Sequence, residues 1–512
     1  MVVGSMPGTV NFQAKLAESM VRVGAVFATS LGPFGFKKAI LNANNEIAFV
    51  KDGLSIASAL PGRGVAEKVA LEIAKAMTDT CGDGASSAIV LAGRLMGNAK
   101  ELLADGLHPN TVSKGYRMAI NECISCLDRI SRAVVADRKT VMALARTSLG
   151  TKFCEREASQ LAGLVAEAAL RSGCDGAVLR SLDVRSINVV GLCTALGKRI
   201  ELIDGVFLDK NPAVVGMPRH LDSARVAIVD SLELGDSAYD RTMVLSKPDS
   251  LGKMVVEETK LLDAFVAKLE GLQVKFIACK GGIDDQVERK LAHDGILAVK
   301  SLREEEIRMV EGATGGRLAL FSDLAQSDVG MAKHIEWRGE AEAGIEICCR
   351  GKNSSSIALR MGNRAFLDAN VGSIKASIRL IACFLGDGRI VAGGGAAEAE
   401  LRAAVLKKGR SVRGREGMAM DSFAEALLAT SYALTQSAGL DPLDTVNRLV
   451  AAHKAGDCGA CLELSHGSTE DAFKAGLIEP LALKRQAIIS AGEAAQALLK
   501  CDEALVSVKT RA

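Results

Sequence analysis

The sequence predicts a multidomain α+β chain, helical at both ends and α/β in the middle, with one domain assembled from both termini. Three observations carry this. Segments 65–78, 88–103 and 112–130 place apolar residues at helical spacing, as do 396–407, 418–437, 442–453 and 480–499. Between these groups, short apolar runs at 274–279, 296–299 and 318–321 alternate with helical stretches, the order that gives parallel strand pairing. A length of 512 residues allows several domains with sizeable cores.

Taken in order, residues 11–132 read as mostly helical. Within them, 46–50 has strand character and ends on Lys51-Asp52-Gly53, a turn signal. Segment 133–192 reads as helical and becomes β-rich near 186–192. The run 274–279 leads into Gly281-Gly282-Ile283-Asp284-Asp285 and a helix to Ala292; 302–311 reads as helix, and Gly315-Gly316-Arg317 precedes the last run. A polar, charged stretch at 236–260 interrupts this α/β unit and reads as an excursion with a mobile tip. Beyond 350 a short αβ piece leads to the helices that return after Val391. No internal repeat or low-complexity tract is present.

Composition excludes several classes. Lys+Arg 63 against Asp+Glu 61 leaves a net charge of +2, with no electrostatic footprint for nucleic acid or an anionic membrane. An aromatic content of 4% also argues against base-stacking surfaces. No uninterrupted apolar run of about 18 residues predicts a membrane span. Residues 1–10 lack the basic and apolar regions of a signal peptide. Thirteen cysteines without a secretory signal point to reduced thiols in a cytosol-like compartment. Cys123/Cys126 and Cys458/Cys461 have the Cys-x-x-Cys spacing of a zinc or redox site. The first pair, however, continues a helical stripe with Tyr116, Ala119 and Ile130, and the second lies in a Gly-rich turn without a second ligand pair, so packing explains both more simply.

The chemistry concentrates in four glycine-containing loops. Thr80-Cys-Gly-Asp-Gly-Ala-Ser-Ser-Ala88 runs a Gly-Asp-Gly turn into a helix. Its glycines admit close backbone approach, Asp83 is a hard oxygen donor suited to Mg²⁺, and Ser86 and Ser87 sit where free N–H groups and hydroxyls can meet a phosphate. Ser30-Leu-Gly-Pro-Phe-Gly35 has Lys37 and Lys38 behind it. Lys51-Asp52-Gly53 adds a carboxylate, and Ala392-Gly-Gly-Gly-Ala396 opens a helix. Each loop alone fits an ordinary turn. Together they hold phosphate donors, a metal ligand and a second carboxylate, the parts of a phosphoanhydride hydrolase.

The order of these loops, with Gly106-Leu-His-Pro109, Ala145-Arg-Thr-Ser-Leu-Gly-Thr-Lys152, Asp204-Gly-Val-Phe-Leu-Asp-Lys210, Ala313-Thr-Gly-Gly-Arg317, Ser437-Ala-Gly-Leu-Asp-Pro442 and Ile478-Glu-Pro-Leu481, resembles the group II chaperonins over about residues 11 to 508. These are the archaeal thermosome and the eukaryotic cytosolic chaperonin TRiC/CCT. Lys51 before Asp-Gly, with the 106–109 and 145–149 segments, looks most like the zeta subunit. The resemblance implies a chaperonin fold with a bipartite, mostly helical equatorial ATP-binding domain (1–132 and 386–512), an intermediate domain (133–192 and 348–385) and an α/β apical domain (193–347). The excursion at 236–260 would be a helical protrusion forming a lid. It further implies two stacked rings with other chaperonin subunits in the cytoplasm, enclosing non-native proteins such as actin and tubulin.

Carried over residue by residue, Leu31, Gly32, Pro33 and Gly35 would contact the nucleotide, Asp83 would hold Mg²⁺, and Gly84, Ser86 and Ser87 would cradle phosphates. Asp52 would be the carboxylate near the γ-phosphate, and Lys152 would lie on the loop that senses it. Gly394 and Gly395 would sit by ribose and phosphates, and Glu479 by the ribose. Three positions depart from the family pattern. Ala85 replaces a threonine after Gly-Asp-Gly, and Phe34 replaces the residue expected after Gly-Pro. The third departure concerns an aspartate the family carries about 17 residues ahead of the first glycine of the triplet; here that position is Ala376. Alanine neither orients nor deprotonates water, so the resemblance implies a subunit that binds ATP and Mg²⁺ yet hydrolyses poorly. The alternatives are a structural, ring-completing subunit that uses little nucleotide, or a homo-oligomer of thermosome type.

Overall fold

A computed structural model describes residues 9–41, 45, 47–60, 64–175, 178–194, 199–232, 264, 266–339, 344–349 and 354–503. The excursion expected at 236–260 lies outside the described residues. The chain divides into two units: Met1–Ala166 with Asp175–Ser181 and Asp368–Ala512, and Glu167–Cys174 with Leu182–Leu367.

The first unit is built around the helix Ala85–Ala104, which buries Ala88, Ile89, Ala92, Leu95, Met96 and Ala99. A helix apolar on most sides must be covered on most sides. Four helices cover it: Thr9–Ala28, Val65–Thr80, Arg415–Leu427 and Leu481–Leu499. The two ends of the chain interlock there. Gln13 Nε2 donates to the Leu499 carbonyl at 2.9 Å, and Asn98 Nδ2 to the Ser422 carbonyl at 2.9 Å. Tyr116 from the helix Pro109–Ile130 sets its ring edge against Phe423, centroids 5.4 Å apart, and donates its hydroxyl to the Leu95 carbonyl.

Cys123 and Cys126 are buried on the stripe of Pro109–Ile130, where their spacing places them. Cys458 is exposed, and Cys461 is buried in the strand Ala460–Glu463. The single helix expected at 418–437 is two, Arg415–Leu427 and Ala429–Ser437. Leu428 between them keeps a right-handed turn with ψ −1°, so the helical ladder slips while Leu427 and Leu428 both stay buried. The αβ piece after 350 contains a longer helix than its sequence advertised, Arg364–Asp387. By length and composition it could cross a membrane. Its Ile374, Ile378, Ile381 and Phe384 are buried in protein.

In the second unit the expected strands form at Val274–Cys279, Leu297–Val299 and Leu318–Ala319. The first pairs in parallel with Leu297–Val299 and with His220–Val229, and Leu318–Ala319 also pairs in parallel with His220–Val229. The sheet then continues antiparallel through Gly330–Trp337, Ile345–Cys348 and Val206–Leu208. Where Val274–Cys279, Leu297–Val299 and the end of His220–Val229 pair, the sheet is buried on both faces, with Ala227, Ile228, Ile277 and Ala298 at 0% exposure, so these segments read as apolar runs. A second sheet orders Ile187–Cys193, Ser355–Met361 and Arg199–Asp204, with Ser355–Met361 in the centre.

Candidate functional site

An open cleft of about 770 Å³ in the first unit gathers Leu31, Gly32, Asp52, Asp83, Gly84, Ser86, Ser87, Lys152 and Glu479. It continues into a second lobe of about 860 Å³ that shares Lys51, Asp52, Gly82 and Lys152 and adds Ala376 and Arg379. Residues hundreds of positions apart in sequence thus face one space.

The Gly-Asp-Gly turn is its floor. Gly82 has φ +78° and Gly84 φ +83°, a region side chains rarely adopt. A Cβ on Gly82 would also lie 2.7 Å from the Ala376 carbonyl and 2.5 Å from the Arg379 Cβ. Glycine there lets the helix Arg364–Asp387 lie against the turn. Gly84 caps Ala85–Ala104, whose first N–H groups have no intrahelical acceptor and face the cleft.

Asp83 sits above this helix end. Its Oδ1 accepts from Gly84 N–H at 2.9 Å, and its Oδ2 accepts from the Ser148 hydroxyl and from Lys152 Nζ, the latter at 3.1 Å. Burial pushes the carboxyl up, but the Lys152 ammonium, the Ser148 hydroxyl and the Gly84 N–H outweigh it and hold Asp83 below its ordinary value. The group is therefore ionised at neutral pH, as a metal ligand must be.

Asp52 caps the helix Gly53–Ala59, with Oδ2 accepting from the Ser55 N–H and hydroxyl, both at 2.9 Å. Its loop presses on the floor so closely that a Cβ on Gly53 would stand 2.8 Å from the Ser86 nitrogen. Lys51 donates to the Gly32 carbonyl at 2.8 Å, tying the first glycine loop to this one. Burial, then the charges of Lys37 and Lys152, bring the Lys51 ammonium down to about 8.

The far wall is a half-buried triad. Lys484 Nζ lies 2.6 Å from Glu398 Oε1 and 3.0 Å from Glu479 Oε2. Burial works against the Lys484 charge, but the two carboxylates outweigh it and hold its pKa above that of an ordinary lysine. Burial raises Glu479, and the charges of Glu398 and Asp83 push it the same way against Lys484.

The remaining positions stand apart from the cleft lining. Pro33 is exposed. Gly35 folds back on its own loop, where a Cβ would meet the Leu31 carbonyl at 2.4 Å. Gly394 and Gly395 pack on Cys461 and Ser431. Their neighbour Gly393 faces Glu479, 3.1 Å from Oε1 to an added Cβ. Ala85, by contrast, is buried in the cleft lining, and Phe34 is 48% exposed. Reading the sequence gave no role to Ser148 or Glu398. Ser148 stands four positions before Lys152, a helical repeat that puts both on one face of the helix Arg138–Gly150 and the turn after it, and that spacing was the available signal.

A family model described as TCP-1/cpn60 chaperonin matches residues 23–509. A thermosome subunit of Methanopyrus kandleri is 31% identical over 493 residues, covering 95% of this chain and 90% of the relative. One of Methanocaldococcus jannaschii is 33% identical over 490 residues, covering 94% and 90%. One of Pyrococcus horikoshii is 32% identical over 489 residues, covering 94% and 88%. With its α+β architecture and a match of this extent, the chain belongs to the TCP-1/cpn60 chaperonin family.

Proposed function

We propose that this chain is a subunit of a double-ring chaperonin that binds ATP with Mg²⁺ in the cleft and hydrolyses it slowly or not at all. The observation that carries the reading is the contrast at Ala376. Every binding wall of the cleft is furnished, while the helix facing Asp52 presents a methyl group where the family pattern calls for a carboxylate.

The donor set fits a magnesium nucleotide. Asp83 would hold the metal, with the uncommitted oxygen of Asp52 beside it. The free N–H groups of Ala85, Ser86 and Ser87 would take phosphate oxygens, and Lys51 and Lys152 would balance their charge. Glu479, held by Lys484, would meet the ribose. The bound metal would draw charge from the phosphate oxygens. Gly53 keeps Asp52 against the helix end, and Lys152 keeps Asp83 ionised and aimed. Ala376 can neither orient a water nor accept its proton. Losing such a group slows acid–base steps by about 10²–10⁴-fold.

Ring assembly draws support from a hairpin of the same unit. Strands Lys38–Leu41 and Ile47–Val50 form a two-stranded sheet with no further strand paired to it among the described residues, and Leu41, Ile47 and the nearby Phe36 are 63%, 53% and 68% exposed. An unpaired apolar edge invites a strand from a neighbour. Within this reading, 1–132 and 386–512 form the equatorial ATP domain, 133–192 and 348–385 the intermediate domain, and 193–347 the client-binding apical domain. Lys51 before Asp-Gly favours a cytosolic hetero-ring of TRiC/CCT type, with the zeta position as its counterpart.

The test is to isolate the native particle, weigh it intact by mass spectrometry, and measure ATP binding and turnover on it. A mixed ring with one or two copies of this chain, which binds nucleotide but contributes little turnover, is expected. A ring of this chain alone that hydrolyses ATP at a chaperonin's normal rate would overturn the reading.

A further inference from the structure

The sheet of the second unit carries a set of ligating side chains unrelated to the cleft. His220–Val229 and Gly330–Trp337 pair antiparallel, with His334 opposite Asp222 and Glu336 opposite His220. Residues two apart on a strand share a face, and directly opposed residues share it across strands. The register therefore sets His220, Asp222, His334 and Glu336 at the corners of one square. The alternate residues Ile335 and Trp337 are buried in the core, which fixes that register, while His220 and Asp222 are exposed on the other face.

His220 Nε2 is 3.1 Å from Asp222 Oδ2, and His334 Nδ1 is 3.2 Å from Asp222 Oδ1. One ligand atom from each of these three residues fits within 4.8 Å of the others. Four ligands at tetrahedral Zn²⁺, with bonds of roughly 2.0–2.1 Å, stand about 3.3 Å apart, so little movement is needed to enclose an ion. The two rings meet edge to face with centroids 4.2 Å apart, which points both imidazoles at the same carboxylate. Glu336 Oε2 lies 3.7 Å from His334 Nε2, the nitrogen left over if Nδ1 binds metal. A carboxylate there would take the remaining N–H and fix the ring's tautomer. The chain has six histidines, and two stand in this square.

We propose that His220 Nε2, Asp222 and His334 Nδ1 bind a divalent first-row transition ion of the Zn²⁺ type, with Glu336 orienting His334 and the fourth position open to water. Two histidines and a carboxylate suit this class over Mg²⁺ or Ca²⁺, which prefer all-oxygen sites. The bound ion would staple two strands of the central sheet and stabilise that unit by mass action.

The test titrates the reduced full-length protein with Co²⁺, following visible absorption, and then displaces it with Zn²⁺. One equivalent of Co²⁺ should give the intense bands of a four-coordinate ion. That signal should vanish in the double variant His220→Ala/His334→Ala and weaken in affinity by about 10–100-fold in Glu336→Gln. The cysteines bind Co²⁺ in their own right, so the difference between wild type and double variant is the reading. Melting curves give a second measure: Zn²⁺ should raise the melting temperature of wild type but not of the double variant, while the two melt alike without metal. Identical Co²⁺ spectra and identical Zn²⁺ shifts in wild type and double variant would overturn the site. Nucleotide binding should be unaffected throughout, which separates this proposal from the function of the cleft.

Discussion

The two walls of the cleft differ in how firmly their chemistry is held. On the Asp83 side the charged groups are tied together: Lys152, Ser148 and Gly84 converge on one carboxylate, and Lys484 joins Glu398 to Glu479. On the Ala376 side the helix comes close, with the Ala376 carbonyl 2.7 Å from a Cβ built on Gly82, yet position 376 itself carries neither acid nor base. Under the proposed function, the helix that would position a catalytic group is present without it. Holding a nucleotide and cleaving it would then, under the same proposal, rest on different elements of this unit.

The comparison is sharpened most by restoring the missing wall. Ala376→Asp should raise ATP turnover by about 10²–10⁴-fold with nucleotide affinity little changed. Turnover that stays flat in the assembled particle would break the contrast. Lys484→Met tests whether the furnished wall is also structural. It strands two half-buried carboxylates and should destabilise the first unit by about 2–3 kcal/mol, read from its denaturation midpoint. A midpoint unchanged from wild type would show that Glu398 and Glu479 need no cation. Asp83→Asn should weaken affinity for Mg²⁺–ATP by at least about 100-fold in calorimetry, and an equal loss of affinity for nucleotide without Mg²⁺ would contradict its role as the metal ligand.

The smallest effect is a pH dependence. Lys51 loses its charge near pH 8 in the empty cleft, and a bound anion would raise that value. Binding is then coupled to proton uptake above pH 8, so affinity should fall as pH rises, by roughly tenfold between pH 7 and 9. Lys51→Met should flatten the profile and lower affinity at pH 7. A slope that survives this substitution would assign the titration to another group.

Much of the fold is legible locally. The strand Val274–Cys279 coincides with its apolar run because it is buried on both faces and bounded by a polar turn. The helix read from residue 88 begins at Ala85 because Gly84 sets its cap. The loops themselves were visible, since glycine and aspartate patterns carry their own geometry, and the family resemblance placed Asp83 and Lys152 together. Three features were hidden. The Ser148–Asp83 bond joins positions 65 apart, the Lys484–Glu398 pair positions 86 apart, and the His334–Asp222 contact positions 112 apart. Each depends on how helices pack or how strands register, and neither is written in the local pattern. The break at Leu428 was hidden for the converse reason: apolar spacing runs through it without interruption.

The interlocking of the two chain ends has a consequence in time. Gln13 finds its acceptor at Leu499, 486 positions later. At ribosomal rates of about 5–20 residues per second, the first helices wait roughly 25–100 s for the helix that covers them. The second unit, apart from its short leading segment, is contiguous from Leu182 to Leu367 and emerges complete in that interval. Its sheet can close during synthesis, whereas the first unit must keep its apolar helix faces from aggregating until the helix Leu481–Leu499 has been made. A chain of the chaperonin family thus begins life as the kind of unfinished protein that needs a chaperone.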